Sequence, residues 1–261
     1  MSFTGKSPAD TYKDILNIDN SNSGVDSTAR IVESGNGSET AISLSDRSLK
    51  VKSNTNNTTA LDVSNASNAS KFSVDTTNNQ VKALGHHVNT QYAYFGIGAD
   101  AQLGLLANTH YGIPFFGMIN KINTWNVDFG TGTDPDTSFT TANTESQYGS
   151  QLAGMLWYVP DNISIDGVYS TEGANAATGD TTRMHLYSYT FNSGSTSALA
   201  DGTLLAHNSD VTNAGNEQAY LSTWTVDSAN VAGGKVICAF FRSDSVNSDY
   251  TTNITVKYHL T

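Results

Sequence analysis

Between residues 41 and 84 apolar and polar side chains alternate one for one, with Ile42/Leu44, Leu49/Val51, Leu61/Val63, Phe72/Val74 and Val81 at the apolar positions. A period of two marks half-buried strands, because successive side chains of an extended chain point to opposite faces. Turn-forming Asn, Ser, Thr and Asp fill the gaps, as at 54–59 and 76–79. The pieces return about every ten residues, a loose repeat of short strands and turns. After residue 85 the apolar density rises and the candidate strands lengthen: 89–95, 113–119, 123–129, 152–159, 163–170, 183–191, 203–207, 219–226, 235–242 and 253–260. Joined by Gly, Asn, Asp and Ser turns and showing no helical period, these predict an antiparallel β-sandwich of jelly-roll-like topology. Polar, small-residue loops at 130–137, 172–182, 192–201 and 208–218 are its expected recognition sites.

One helix is predicted, near the start. Ser7 suits an N-cap, Pro8 the first helical position and Asp10 the first turn, while Tyr12, Ile15 and Leu16 follow at i, i+3, i+4 spacing. A helix over 8–16 is too short to be stable alone and needs a partner for its apolar stripe, which makes it a docking element. The alternative is a frayed end. Residues 17–40 read as an extended arm with two turns around Ile31 and Val32.

The strands of 41–84 carry too few apolar side chains to offset the entropy of ordering them. Either the stretch is a polar linker, or identical strands from neighbouring chains supply the missing wall. The regular alternation favours the second reading, an intertwined β-stem, most simply threefold.

Composition narrows the classes. Only 14% of the 261 residues are charged and four are proline, a profile of strands and turns. No run of about 18 apolar residues is present, so no membrane span is expected. Residues 1–6 lack the apolar core of a signal peptide, which points to synthesis in a cytoplasm without classical export. The single cysteine, Cys238, sits in an apolar run and is expected to pack as a small buried hydrophobe. The net charge of −11 is uneven: up to Leu84 eight Lys/Arg face nine Asp/Glu, and from Gly85 five face fifteen. That acidic second part argues against nucleic acid or anionic lipid as a partner.

The run from Gly5 to Asp26, followed by Glu33-Ser-Gly-Asn-Gly and Ala41-Ile-Ser-Leu-Ser, resembles the N-terminal region of virion fibre proteins of tailed bacteriophages, those of marine phages most of all. Phe72-Ser-Val-Asp-Thr-Thr-Asn-Asn-Gln-Val81 is similar to the β-hairpin units of their stems. The resemblance covers residues 4–84. It implies an N-terminal anchor to the virion, a trimeric β-stem and a distal head, and it brings no catalytic residues.

Candidate chemistry is sparse. His86 and His87 are adjacent and point opposite ways in an extended chain, so one ion is not easily chelated within a chain, although a trimer could bring three copies together. His110, His185, His207 and His259 lack Cys/His zinc spacing. Asp128, Asp134 and Asp136 beside Gly130 and Gly132 offer oxygens of the kind calcium takes, without an EF-hand pattern. No Gly-x-Ser-x-Gly elbow, nucleotide-binding glycine loop or HExxH occurs. Tyr111, Trp125, Trp157, Tyr158, Tyr169, Tyr220, Trp224 and Tyr250 include possible sugar-stacking rings, with core packing the more frequent role of strand aromatics.

These readings converge on an all-β, non-enzymatic structural protein on a virion surface, assembled in the host cytoplasm, with no cofactor and no metal. Residues 1–40 form the anchoring arm through Pro8, Tyr12, Ile15 and Leu16; residues 41–84 form the stem through the eight paired positions above; residues 85–261 form the head. The expected partners are two further copies, capsid or tail proteins, and a host-surface glycan or receptor. A capsid cement protein, a carbohydrate-binding module and a small polysaccharide depolymerase are the alternatives.

Overall fold

Alternation becomes strand wherever a polar side chain can close the turn that follows. The structure, a computed structural model, describes residues 13, 15–21, 23–97, 105–115, 128–131, 152–175, 178–195, 198–246 and 250–261. It divides into two compact units, Met1–Val88 and Asn89–Thr261. Among the described residues no helix is long and apolar enough to cross a membrane.

The first unit is built from two antiparallel meanders of four strands. The first joins β1 (Leu16–Ile18), β2 (Arg30–Ser34), β3 (Glu39–Leu44) and β4 (Leu49–Val51) in chain order. The second joins β5 (Leu61–Ser64), β6 (Ser70–Asp75), β7 (Gln80–Ala83) and β8 (His86–His87). The turns are set locally. Asn65 Oδ1 accepts the amides of Ser67 and Ala69, and Asp75 Oδ1 accepts those of Thr77 and Asn78. These are the short side-chain caps that make Asn and Asp turn residues. Leu84 and Gly85, at φ of +52° and +83°, form the two-residue loop between β7 and β8.

Three expectations change here. Pro8 and Tyr12 lie outside the described residues, but the helix expected over 8–16 does not reach its end, because Leu16 opens β1 opposite Ser34. Leu16-Asn17-Ile18 alternates, and pairing with β2 wins over a short helix of marginal stability. The arm expected at 17–40 is part of a sheet: β2 pairs with β3 through Arg30 opposite Leu44, so the expected break at residue 40 falls inside a sheet. The repeat also runs past Leu84, since the tight turn sends His86 and His87 back onto β7, and the unit ends at Val88.

The second unit has two antiparallel sheets around a shared core. In chain order its strands are β9 (Thr90–Ile97), β10 (Thr109–Ile113), β11 (Asp128–Thr131), β12 (Leu156–Tyr158), β13 (Ile163–Asn175), β14 (Thr181–Phe191) and β15 (Leu199–His207). They continue as β16 (Val211–Thr212), β17 (Glu217–Thr223), β18 (Thr225–Val226), β19 (Asn230–Val231), β20 (Lys235–Ser243) and β21 (Tyr250–Leu260). One sheet runs β17-β13-β21-β9, with β19 beside β13; the other runs β11-β10-β20-β14-β15-β18, with β12 on β20 and β16 on β14. Phe95, Val168, Ile254 and Val256 of the first sheet meet Tyr111, Met184, Leu186, Ile237 and Phe241 of the second in one buried cluster.

The second sheet is apolar on both faces. Tyr187, Tyr189, Val236, Cys238 and Phe240 form a second cluster with Leu152, Met155 and Leu199. The near-continuous run Val236-Ile-Cys-Ala-Phe-Phe241 therefore reads as a strand covered on both sides. Cys238 is fully buried, as expected, and burial raises its thiol pKa far above the ordinary value. The loop expected at 172–182 shrinks, because Glu172, Gly173, Ala174 and Asn175 continue β13, which pairs with β17 on one side and β21 on the other. Two flanking ladders override the weak strand propensity of Glu, Gly, Ala and Asn.

Candidate functional site

Register decides which side chains share a face. In the first meander Ile42 lies opposite Val51 and Leu44 opposite Leu49, while Ile18 lies opposite Val32. In the second, Leu61, Val74 and Val81 form one cross-strand row, and Val63, Phe72 and Ala83 form the next. The opposite face of that sheet carries the row Asp62, Ser73 and Lys82. All eight expected stem residues thus come together as the apolar faces of two sheets, four on each. These faces are largely open: Leu49 is 66% exposed and Val63 52%, with Ile42, Val51, Leu61 and Phe72 also exposed, while Leu44 and Val74 are half-buried. Of the expected anchor residues, Ile15 and Leu16 are exposed.

The histidines are split as their adjacency requires. His86 pairs with Ala83, in the apolar row of Phe72, and His87 pairs with Lys82 in the polar row. The fold makes contacts that spacing did not reveal. β10 and β14 flank β20, which brings the buried rings of His110 and His185 to 5.2 Å between centroids. His259 Nδ1 lies 2.9 Å from Asp166, at the bulge of β13, and His207 Nδ1 lies 2.8 Å from Asp227. Of the calcium candidates Asp128 opens β11, and Asp134 and Asp136 lie outside the described residues.

The aromatic candidates separate by burial, with Tyr220 half-buried and its hydroxyl donating to the Thr212 carbonyl at 3.3 Å. Tyr111, Trp157, Trp224 and Tyr250 are buried, and Trp125 is outside the described residues. Trp224 Nε1 donates to Ser170 Oγ at 2.9 Å, and the Tyr250 hydroxyl donates to Asp180 at 2.9 Å, so both serve packing with a satisfied polar tip. Tyr158 and Tyr169 are exposed. Tyr92 and Tyr94, not singled out from the sequence, are exposed too. Their signal was legible: Tyr92 and Tyr94 alternate with Ala93 and Phe95, and both Ala93 and Phe95 go to the core.

One titratable group stands out. Glu172 on β13 faces the inside of the sandwich, where Thr182 Oγ1 of the other sheet donates to Oε2 at 3.0 Å. Oε1 has no hydrogen-bond partner. Burial pushes the carboxyl up to about 7, with the Thr182 bond opposing the shift.

No protein-family model matches the sequence, and no curated protein matches it. Among solved structures, an aminopeptidase from the marine sediment archaeon Thaumarchaeota archaeon shares 9% identity over 72% of this chain at a TM-score of 0.29. An α-amino acid ester hydrolase shares 8% identity over 72% of the chain at a TM-score of 0.29. The chain spans 40% of the length of each. Likeness at this level carries no argument about fold or activity.

Proposed function

We propose that this chain is a structural protein of a tailed-phage virion, a homotrimeric appendage. Its N-terminal segment docks on the capsid or tail, its two meanders are wrapped with those of two further copies into a β-stem, and its second unit is a jelly-roll-like head turned to the host surface. The observation that carries the reading is the pair of open apolar faces. A single-layer sheet with one apolar face is at best marginal in water, and burial of that face is what stabilises it. Closed symmetry lets copies of the same row cover one another. The resemblance of residues 72–81 to the hairpin units of fibre stems supports the same arrangement.

Light scattering on the full chain is the test. A particle of three times the 27.8 kDa chain mass is expected. Leu61→Asp and Phe72→Asp, each placing a charge in an apolar row, are expected to release monomers. A wild-type monomer, or charged variants that stay trimeric with unchanged melting, overturns the stem. Antibody labelling of phage particles in electron micrographs then tests whether the trimer sits on a virion.

A further inference from the structure

We propose that the outer face of the β17-β13-β21-β9 sheet is an oligosaccharide-binding platform, with Tyr94 and Tyr169 as its stacking residues. This rests on the reading of the second unit as a head turned to a host surface, and gives that head a ligand class and a site.

The face is defined by register. Ala93 and Phe95 of β9, Val168 of β13, and Ile254 and Val256 of β21 point into the core, so their neighbours point out. Tyr94 lies opposite Thr255, and Thr255 lies opposite Tyr169. One rung along, Tyr92 lies opposite Lys257, and Lys257 opposite Gly167. Tyr94 and Tyr169 are two strands apart, roughly 10 Å at the backbone. Tyr92, Tyr94 and Tyr169 are 53%, 49% and 40% exposed.

Two glycines keep the surface flat. A Cβ on Gly167 would sit 2.8 Å from Tyr169 Oη and 3.2 Å from two of its ring carbons. The ring therefore lies down along β13 over Gly167, with one face on the backbone and the other open. A Cβ on Gly96 would sit 2.7 Å from Asn253 Oδ1, so the Asn253 amide lies over that glycine in the same way.

A sugar ring offers an apolar C–H face and a rim of hydroxyls. The open tyrosine rings match the first, and Thr255, Asn253 and Lys257 between them supply donors and acceptors for the second. A further copy of the chain fits less well. The rungs between the rings are hydroxyl, amide and ammonium groups, which would be costly to cover without partners. The stem faces differ: apolar side chains fill the rows Leu61-Val74-Val81 and Val63-Phe72-Ala83 of the second meander, and in the first the row of Leu49 and Leu44 meets a charge at Arg30.

The test uses the full chain with cellohexaose, laminarihexaose, chitohexaose and hexagalacturonate as probes, read by saturation-transfer NMR and calorimetry. At least one probe is expected to bind. Tyr94→Ala and Tyr169→Ala are each expected to weaken it roughly tenfold or more, the scale of losing one aromatic anchor. Gly167→Ala, which lifts the Tyr169 ring, weakens it as well, and Tyr158→Ala on the other sheet leaves it unchanged. Absence of binding to all four probes, or binding that survives Tyr94→Ala and Tyr169→Ala, overturns the platform. A fall in oligomer mass in those variants also overturns it, marking a subunit contact instead. Light scattering on the same samples separates the two proposals: a trimer that binds none of the probes removes the platform alone, and a monomer that binds one removes the stem alone.

Discussion

Replacing Glu172 with glutamine converts a buried carboxyl into a measurable pH dependence of stability. In the folded chain the carboxyl titrates near 7, against an ordinary value of 4.5, because it is enclosed between the two sheets with only the Thr182 hydroxyl bonded to it. That displacement corresponds to roughly 3 kcal/mol between the protonated and ionised forms. The sign follows from proton uptake. Below pH 4.5 the group is protonated in both folded and unfolded chains and the fold has its full stability. Between 4.5 and 7 folding takes up a proton, so stability falls as pH rises, and above 7 the whole cost is present.

Glutamine cannot ionise, and its carbonyl can still accept the Thr182 hydroxyl. Its amide group has the same unfilled hydrogen bonds at every pH, a constant penalty of about 1–3 kcal/mol. The melting temperature of Glu172→Gln relative to wild type is therefore expected to rise between pH 4 and pH 8. For a unit of this size, a gain of roughly 3 kcal/mol corresponds to about 6–12 °C. Other carboxylates cancel in the difference, since both proteins carry them. Calorimetric scans of the two proteins across that range are the assay. A difference between variant and wild type that stays flat with pH refutes the buried-carboxyl argument.

Three further outcomes follow from the same structure. Leu84 occupies a left-handed backbone position beside Gly85, where asparagine is the better residue, so Leu84→Asn is expected to stabilise by about 1 kcal/mol in urea titrations; a loss would place the exposed Leu84 side chain under a neighbouring subunit. Cys238, fully buried with its thiol pKa raised, is expected to react with Ellman's reagent only at the rate of unfolding, and a fast native-state reaction would contradict its packing against Tyr189 and Phe240. A fragment of residues 89–261 is expected to fold as a monomer with a concentration-independent melt, because it holds both buried clusters, whereas residues 1–88 alone should give no cooperative transition at low concentration.

How much of this could be read in the sequence depends on where the deciding contacts lie. The alternation of Ile254, Val256, Tyr258 and Leu260 placed β21 closely, since one period and one buried face suffice. Leu16 was misread because Tyr12, Ile15 and Leu16 fit a helical stripe, while its real partner, Ser34, is eighteen residues away across a turn. Glu172 was assigned to a loop for the same reason: its flanking partners Tyr220 and Thr252 are distant in the chain. Local composition cannot report a ladder made by remote strands. Its raised titration likewise comes from burial between two sheets that no spacing rule brings together, with the Thr182 bond opposing the shift.

The stem positions behave differently, and the contrast explains why their pattern was legible while their purpose still needs a partner. Each apolar row in the two meanders joins strands that follow one another directly, so nearest-neighbour hairpins alone create the face. The same simplicity leaves the face open. In the second unit β13 lies between β17 and β21, and β20 between β10 and β14, and such non-local pairings stack two sheets over a buried cluster. A chain that only meanders makes one layer, and one layer buries little: among the described residues of the first unit Val32 alone is a buried hydrophobic. Regular local pairing together with uncovered Leu49 and Val63 is what a stem covered by further copies would show, and the proposed trimer rests on these faces.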